Sequence, residues 1–247
     1  MFWNRPTLVI IATYNERQTL PRLVDQLEQR FPRLDLLVVD DRSPDGTGTW
    51  CDGYAARHGR FHVLHRRGPR GLGVATIDGF QWGLDRDYEY LVTMDADLSH
   101  DPNDLERMFD RMAQDSTGEL GLVVGSRYVS GGSIEGWPRR RHWASRFVNR
   151  YAQLAIGLPT KDSTSAFRLY RAESLKKIDL ERIDSRGFAY LEEILWRLDR
   201  ARVAIAEVPI TFRDRREGAS KVRLGVMASA GWQLIRLTLW HRLGLGR

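Results

Sequence analysis

The stretch "LVTMDADLSHDPNDL" (91–105) runs an apolar, β-branched segment into two carboxylates, Asp95 and Asp97, and then into a helix-opening Ser-His-Asp-Pro. On an extended chain, side chains one residue apart point to the same side. Two like charges placed that way repel unless a cation sits between them, and oxygen-only ligands suit Mg²⁺ or Mn²⁺. Asp101, Pro102 and Asp104 fall at the N-cap, first and third positions of a helix, so these two acids read as structural. Capping does not explain Asp95 and Asp97. By themselves they also fit two solvated turn acids. His100 reads as a loop or supporting residue rather than a ligand.

Working outward, apolar runs predict strands at 7–12, 35–40, 61–65, 90–95 and 120–126, separated by helices near 19–30, 47–58, 73–85 and 102–115. That rhythm implies βαβ units and a mainly parallel sheet, with ligands outside the carboxyl ends of the strands. The segments after the strands are "TYNE", "DDRSPDGTG", "RRGPRGLG", "DADLSHD" and "SRY", so acidic, glycine-rich and basic chemistry gathers at one edge. Further on come a loop at 128–141, a helix near 142–157, a strand around 164–170 and a helix at 188–199. A strand pair or one long strand follows at 202–212, then a C-terminal helix near 222–243. The expected organisation is a catalytic domain over 1–221 and an interfacial helix over 222–247.

The chain has 247 residues, enough for one sizeable core. Its lone cysteine, Cys51, rules out an intramolecular disulfide framework and suits a reducing compartment. "TLVIIA" (7–12) is too short for the core of a secretory leader, and no run of about 18 apolar residues predicts a transmembrane helix. The net charge is +6, with positives clustered at 137–150 and 213–223, which favours phosphates or acidic lipid. A nucleic-acid partner would explain those clusters but not five strand ends bearing acids and glycines.

Asp40 and Asp41 close the second strand and can accept hydrogen bonds from a base or ribose. "SPDGTG" also fits a simple turn, and "GLG" (71–73) completes neither a P-loop nor a dinucleotide fingerprint. Arg127, Arg141, Arg215 and Lys221 are the candidate phosphate clamps, because guanidinium forks match phosphate oxygens and lysine adds a point charge.

"TYNE", "VVDD-x-SPDGTG", "MDADLSHDP", "GSRYVSGG", Trp137 to Arg141, "DSTSAFRLY" and "DRREGASK" come in the order found in polyprenyl-phosphate sugar transferases. From about residue 6 to 224 the chain resembles the dolichyl-phosphate mannose synthases, inverting glycosyltransferases of the α/β GT-A fold. The resemblance implies GDP-mannose as donor, a divalent metal and a polyprenyl phosphate acceptor. It assigns Ala12, Tyr14, Glu16, Asp40 and Asp41 to the nucleoside side, and Asp95, Ala96 and Asp97 to the donor diphosphate. Asp95, Asp97 and Ser99 would face the metal. Arg127 and Arg141 would grip the acceptor phosphate, with Arg215 and Lys221 reaching phosphates from a loop; Asp97, Arg127 and Arg141 are the expected catalytic residues. Arg42 stands where such chains usually have Gly, Ala12 where Pro is frequent and Ala166 where Gly is frequent. The "PRGLG" segment lacks the Lys that often precedes Gly-Leu-Gly.

A phosphate acceptor arrives largely deprotonated, its second pKa being about 6, so this chemistry needs oriented arginines and no obligatory base. The C-terminal stretch carries Ser229, Gln233, Arg236 and Trp240 in one stripe among apolar positions, which suits a helix lying in a membrane interface. A core-packed or dimer helix is the alternative. The expected location is the cytoplasmic face of a membrane, held peripherally. Many relatives carry transmembrane helices after the catalytic part, so a separate membrane partner stays open. The rivals are a UDP-glucose-dependent polyprenyl-phosphate glucosyltransferase and a non-catalytic sugar-nucleotide or lipid-binding module.

Overall fold

The computed structural model describes residues 5–183, 187–214, 234–241 and 243. The first four strands and helices follow the sequence rhythm: β1 (Thr7–Thr13), α1 (Leu20–Arg30), β2 (Asp35–Asp40), α2 (Thr47–Ala55), β3 (Phe61–His65), α3 (Leu72–Leu84), β4 (Tyr90–Thr93) and α4 (Asp104–Ala113). Then come β5 (Leu120–Ser126), β6 (Ser133–Glu135), α5 (Arg139–Tyr151), β7 (Arg168–Arg171), the short α6 (Ala172–Leu175), α7 (Tyr190–Arg200), β8 (Ala204–Pro209) and β9 (Thr211–Arg213). Seven strands form one sheet in the order β3-β2-β1-β4-β7-β5-β8, while β6 and β9 make a separate parallel ribbon. Within the large sheet β7 runs antiparallel to both its neighbours.

Alternation along the strands splits the core. Leu8 and Ile10 of β1 join α3 and α7 on one face, and Val9 and Ile11 join α1 and α4 on the other. The result is a sheet between two helical layers. Among the described residues no helix is long and apolar enough to cross a membrane.

Four boundaries differ from the sequence expectation. β4 ends at Thr93 rather than at residue 95, because the Asp95 N–H donates to His100 Nδ1 (3.2 Å) instead of to a neighbouring strand. Asp95-Ala96-Asp97 therefore lies in a turn, not on extended chain. β7 starts at Arg168, four residues late: the carbonyls of Ser163 and Ser165 are taken by the Arg168 guanidinium (2.7 and 2.8 Å) rather than by a ladder. α5 starts at Arg139 and passes into a π-helical turn, Ala152–Ile156, that ends on left-handed Gly157. The long run at 202–212 breaks at Pro209, which has no N–H to donate, and yields β8 and β9.

The boundary at 221/222 lies outside the described residues. The helix at 234–241 buries Leu234 and Leu237 in the same core cluster as α7. Two members of the expected polar stripe, Arg236 and Trp240, face the body of the protein: Arg236 pairs with Glu193 (3.4 Å) and Trp240 packs near Trp196 (6.0 Å between centroids), while Ser229 and Gln233 lie outside the described residues.

Candidate active site

The chain runs from β1 outward to β2 and β3, then returns to β4 on the other side of β1. This reversal opens a crevice beyond the carboxyl ends of β1 and β4, the usual place for a ligand in such sheets. On its β1–β2 side, Asp40 and Asp41 are buried. Asp41 accepts from Arg66 Nη1 (2.7 Å) and from the Gly71 N–H (2.8 Å), which pins the glycine-rich turn to β2. Asp40 lies 3.7 Å from His65 Nδ1, and Gly48 approaches so closely that an added Cβ would stand 3.0 Å from Asp40 Oδ2. "SPDGTG" is thus a packed turn against an acid rather than a loose one.

Arg42 has φ +60°, which explains why Gly is usual there: the left-handed region disfavours a Cβ by about 1–2 kcal/mol. Its carbonyl accepts from Arg70 Nη2 (3.2 Å). Arg70 also donates to Tyr14 Oη (2.8 Å) and lies 4.5 Å over the Tyr14 ring. Ala12 pairs with Val39 at the end of β1, and Glu16 accepts from Thr19 Oγ1 (2.9 Å) at the start of α1.

The acid turn is held from three directions. Asp97 Oδ1 accepts the Ser99 N–H (3.0 Å), the Ser99 carbonyl accepts the Arg213 N–H (3.0 Å), and His100 Nδ1 accepts the Asp95 N–H. Burial drives the His100 imidazole down to about 4, against the pull of Asp97 and with the push of Arg127, so at neutral pH it is an uncharged acceptor. Asp101 Oδ1 accepts the Asn103 N–H (3.0 Å) ahead of α4, and Asp104 accepts the Thr211 N–H (3.3 Å). Both acids hold structure, Asp101 also pairing with Arg213 (3.1 Å).

A divalent ion suits this turn. Asp97, Ala96 and Ser99 are buried, and the Ser99 hydroxyl has no hydrogen-bond partner among the described residues. Among those residues no cluster of three or more His, Cys, Asp or Glu side chains could hold a metal unaided. An ion on Asp95 and Asp97 would draw its other oxygens from a bound diphosphate and water, the usual habit of Mg²⁺.

The second half of the site lies beyond β5. Arg127 is buried and forked by Asp162, with Nε and Nη2 at 2.7 and 2.6 Å, and it also reaches Thr164 Oγ1 at 2.5 Å. The Asp162 charge holds this guanidinium above its ordinary pKa against the cost of burial. Gly132 lets the following loop fold back, since a Cβ there would come 2.6 Å from the Ser126 carbonyl. That loop carries Trp137, whose ring lies within cation–π range of Arg127 (5.4 Å) and of Arg141 (4.0 Å). The two arginines predicted to act together do meet, over one indole. Arg141 also pairs with Asp214 (2.8 Å). Arg215 and Lys221 lie outside the described residues.

Phe212 joins the halves. It packs edge-on against His100 (5.5 Å) and Trp137 (5.4 Å), and Arg127 stands 5.4 Å over its ring. Sequence reasoning missed Phe212, and with it Asp162, Thr164, Asn149 and Glu207. Asn149 Oδ1 accepts the Ser163 N–H (2.7 Å) and Glu207 accepts the Lys161 and Asp162 N–H groups (2.8 and 3.0 Å), so both hold the loop that presents Asp162. One signal did exist: an arginine predicted at a buried strand end requires an acid, and "DSTSAFRLY" supplies one. Glu192, on α7 near Arg168 and Asp162, is buried with Oε2 unpartnered among the described residues, and burial raises its carboxyl to about 7.

The Glycosyl transferase family 2 pattern matches residues 8–179. The chain is 46% identical over 217 residues to a polyprenol monophosphomannose synthase of Mycolicibacterium smegmatis, covering 87% of this chain and 80% of that one. It is 43% identical over 233 residues to an undecaprenyl-phosphate mannosyltransferase of Micrococcus luteus, covering 94% and 93%. A glucosyl-3-phosphoglycerate synthase from Mycobacterium tuberculosis, solved with Mn²⁺, uridine diphosphate and glucosyl-3-phosphoglycerate, superposes with a TM-score of 0.69 at 19% identity, over 98% of this chain and 81% of that one. At that identity the likeness speaks to the fold, and the fold is the GT-A arrangement that the resemblance implied.

Proposed function

The chain belongs to glycosyl transferase family 2, and on that premise we propose that it transfers mannose from GDP-mannose to a polyprenyl phosphate with inversion at the anomeric carbon. The observation that carries the proposal is the shared wall of His100, Phe212 and Trp137. It sets an acid turn suited to a metal and diphosphate beside a buried arginine suited to a second phosphate. The names of the two mannosyl-transferring relatives support the sugar and the lipid acceptor.

In this scheme Ala12, Tyr14, Glu16, Asp40 and Asp41 line the nucleoside side of the crevice. Asp95 and Asp97 would hold Mg²⁺ or Mn²⁺, the buried Ser99 hydroxyl, unpartnered among the described residues, would be available to the same ion, and Ala96 would line the donor diphosphate. Held there, a divalent ion would supply charge neutralisation for the departing diphosphate. Arg127 and Arg141, with Arg215 and Lys221, orient the acceptor phosphate. Asp162 occupies Nε and Nη2 of Arg127, and Nη1 makes no hydrogen bond among the described residues, which leaves it to donate to that anion. A phosphate oxygen attacks the anomeric carbon, the bond to the diphosphate breaks, and GDP leaves with the electron pair. No proton need be removed, because the acceptor's second pKa is about 6.

The test is transfer of labelled mannose from GDP-mannose into extractable polyprenyl phosphate, with and without Mg²⁺ or Mn²⁺. Metal-dependent lipid product is expected; its absence, or a preference for UDP-glucose, overturns the assignment. Asp97→Asn keeps an acceptor for the Ser99 N–H, so it is expected to melt like the parent and to lose transfer by at least about 10²-fold. Retained activity would remove Asp97 from the metal site.

A further inference from the structure

The two arginines beside the Trp137 ring are held in different ways. Arg127 is buried and forked by Asp162, a pair whose loss would strand a charge away from water. Among the described residues the Arg141 guanidinium makes one hydrogen bond, from Nη1 to Asp214 Oδ1 at 2.8 Å, and the two side chains are 42% and 30% exposed. An ion pair so open to solvent holds weakly, because water competes for both charges and salt screens them. The first pair is a fixture; the second can be exchanged.

What is fixed about Asp214 is its backbone. Its N–H donates to the Glu135 carbonyl (2.9 Å), where the β6–β9 ribbon ends. Left-handed Gly136 stands so near that a Cβ there would lie 3.0 Å from Asp214 Cβ. The chain thereby delivers a carboxylate to Arg141 through a side chain that keeps the freedom to turn away. Arg141 has other supports for its position. Its guanidinium lies 4.0 Å from the Trp137 ring centroid, and its backbone N–H donates to the Pro138 carbonyl (2.9 Å) in the first turn of α5.

We infer that Asp214 is a displaceable carboxylate, standing on Arg141 in place of the acceptor phosphate, and that it sets the preference of this subsite for a doubly charged phosphomonoester over a singly charged phosphodiester. The inference rests on the proposed transfer to a polyprenyl phosphate and names what tells acceptor from product there. Charge decides the exchange. At neutral pH a phosphomonoester carries about two negative charges and offers three oxygens to a guanidinium fork, so it displaces a carboxylate. Attack on the anomeric carbon turns one of those oxygens into the bridge of a phosphodiester, which keeps a single charge. That anion has no advantage over a tethered carboxylate, whose effective concentration at Arg141 is on the order of millimolar or more. Asp214 then returns to Arg141 and the product leaves.

The test is calorimetric titration of the full chain, without donor, using citronellyl phosphate and its methyl ester, two soluble probes that differ by one charge. The parent is expected to bind the monoester at least about tenfold more tightly. Asp214→Asn keeps the shape and loses the charge. It should melt like the parent, because the pair is exposed, and should narrow the preference roughly fivefold, chiefly by tightening the diester. Asp214→Ser withdraws the amide oxygen as well and should narrow it at least as far. In the mannose-transfer assay Asp214→Asn should lower the KM for acceptor and strengthen inhibition by added product roughly fivefold. An Asp214 that merely holds Arg141 in place gives the opposite result, with both probes bound more weakly and the acceptor KM raised. That result overturns the inference, as does an unchanged preference or a parent that binds neither probe. If the parent transfers no mannose while Asp214→Asn narrows the preference, the proposed function fails and the exchange stands. Normal transfer with an unchanged preference sinks the exchange alone.

Discussion

The Arg127 guanidinium is almost wholly withdrawn from water, and a cation so placed must be matched or its surroundings open. Asp162, itself fully buried, provides the match with two oxygens and also accepts the Arg127 backbone N–H (2.9 Å). Asp162→Ala is therefore expected to destabilise the fold by about 3–5 kcal/mol, read as a lowered urea midpoint, and to abolish transfer. A midpoint within about 1 kcal/mol of the parent would show that water or a neighbour compensates. Arg127 was legible in the sequence because it sits in a quoted motif at a predicted strand end. Its partner lies 35 residues further on, and a pairing over that distance leaves no local pattern. Phe212 was hidden for the same reason: its ring serves two loops that meet only in the folded chain.

At the scale of elements, α7 carries a group of unusual titration. Glu192 is shifted upward from 4.5 to about 7 by burial, so its contribution to stability is fully present below about pH 4.5 and is lost as pH rises through about 7. Glu192→Gln removes that dependence. Melting curves of the two proteins should converge near pH 4.5, and the Gln variant should gain a widening advantage, a few degrees by pH 8. Curves that stay parallel would mean that Glu192 is ionised in the fold. The parallel strands and the helices between them were readable, because buried strands and amphipathic helices each impose a period on the sequence. The ends of β4 and β7 were not, since side chains from elsewhere take the backbone groups that a ladder would have used: His100 at one, Arg168 at the other.

For the molecule as a whole, the proposed metal site, with two carboxylates on the protein and the rest on the donor, predicts coupled binding. In a thermal shift experiment, Mn²⁺ alone and GDP alone should each raise Tm only slightly. The two together should raise it by on the order of 5 °C, more than the separate shifts combined. Additive shifts would place the ion and the nucleotide in separate sites. A further consequence follows from β7. Its reversed direction brings the loop that precedes it to the edge where the parallel strands deliver the loops that follow them, and it lies between β4 and β5. The strand bearing the acid turn and the strand that leads into Arg127 are consecutive in the parallel series, yet they are joined only through the later strand β7 that lies between them. Joining the acid turn to the Arg127 side of the crevice must therefore wait until the chain through residue 171 has been made, a loop closure that puts the completed crevice among the late events of folding.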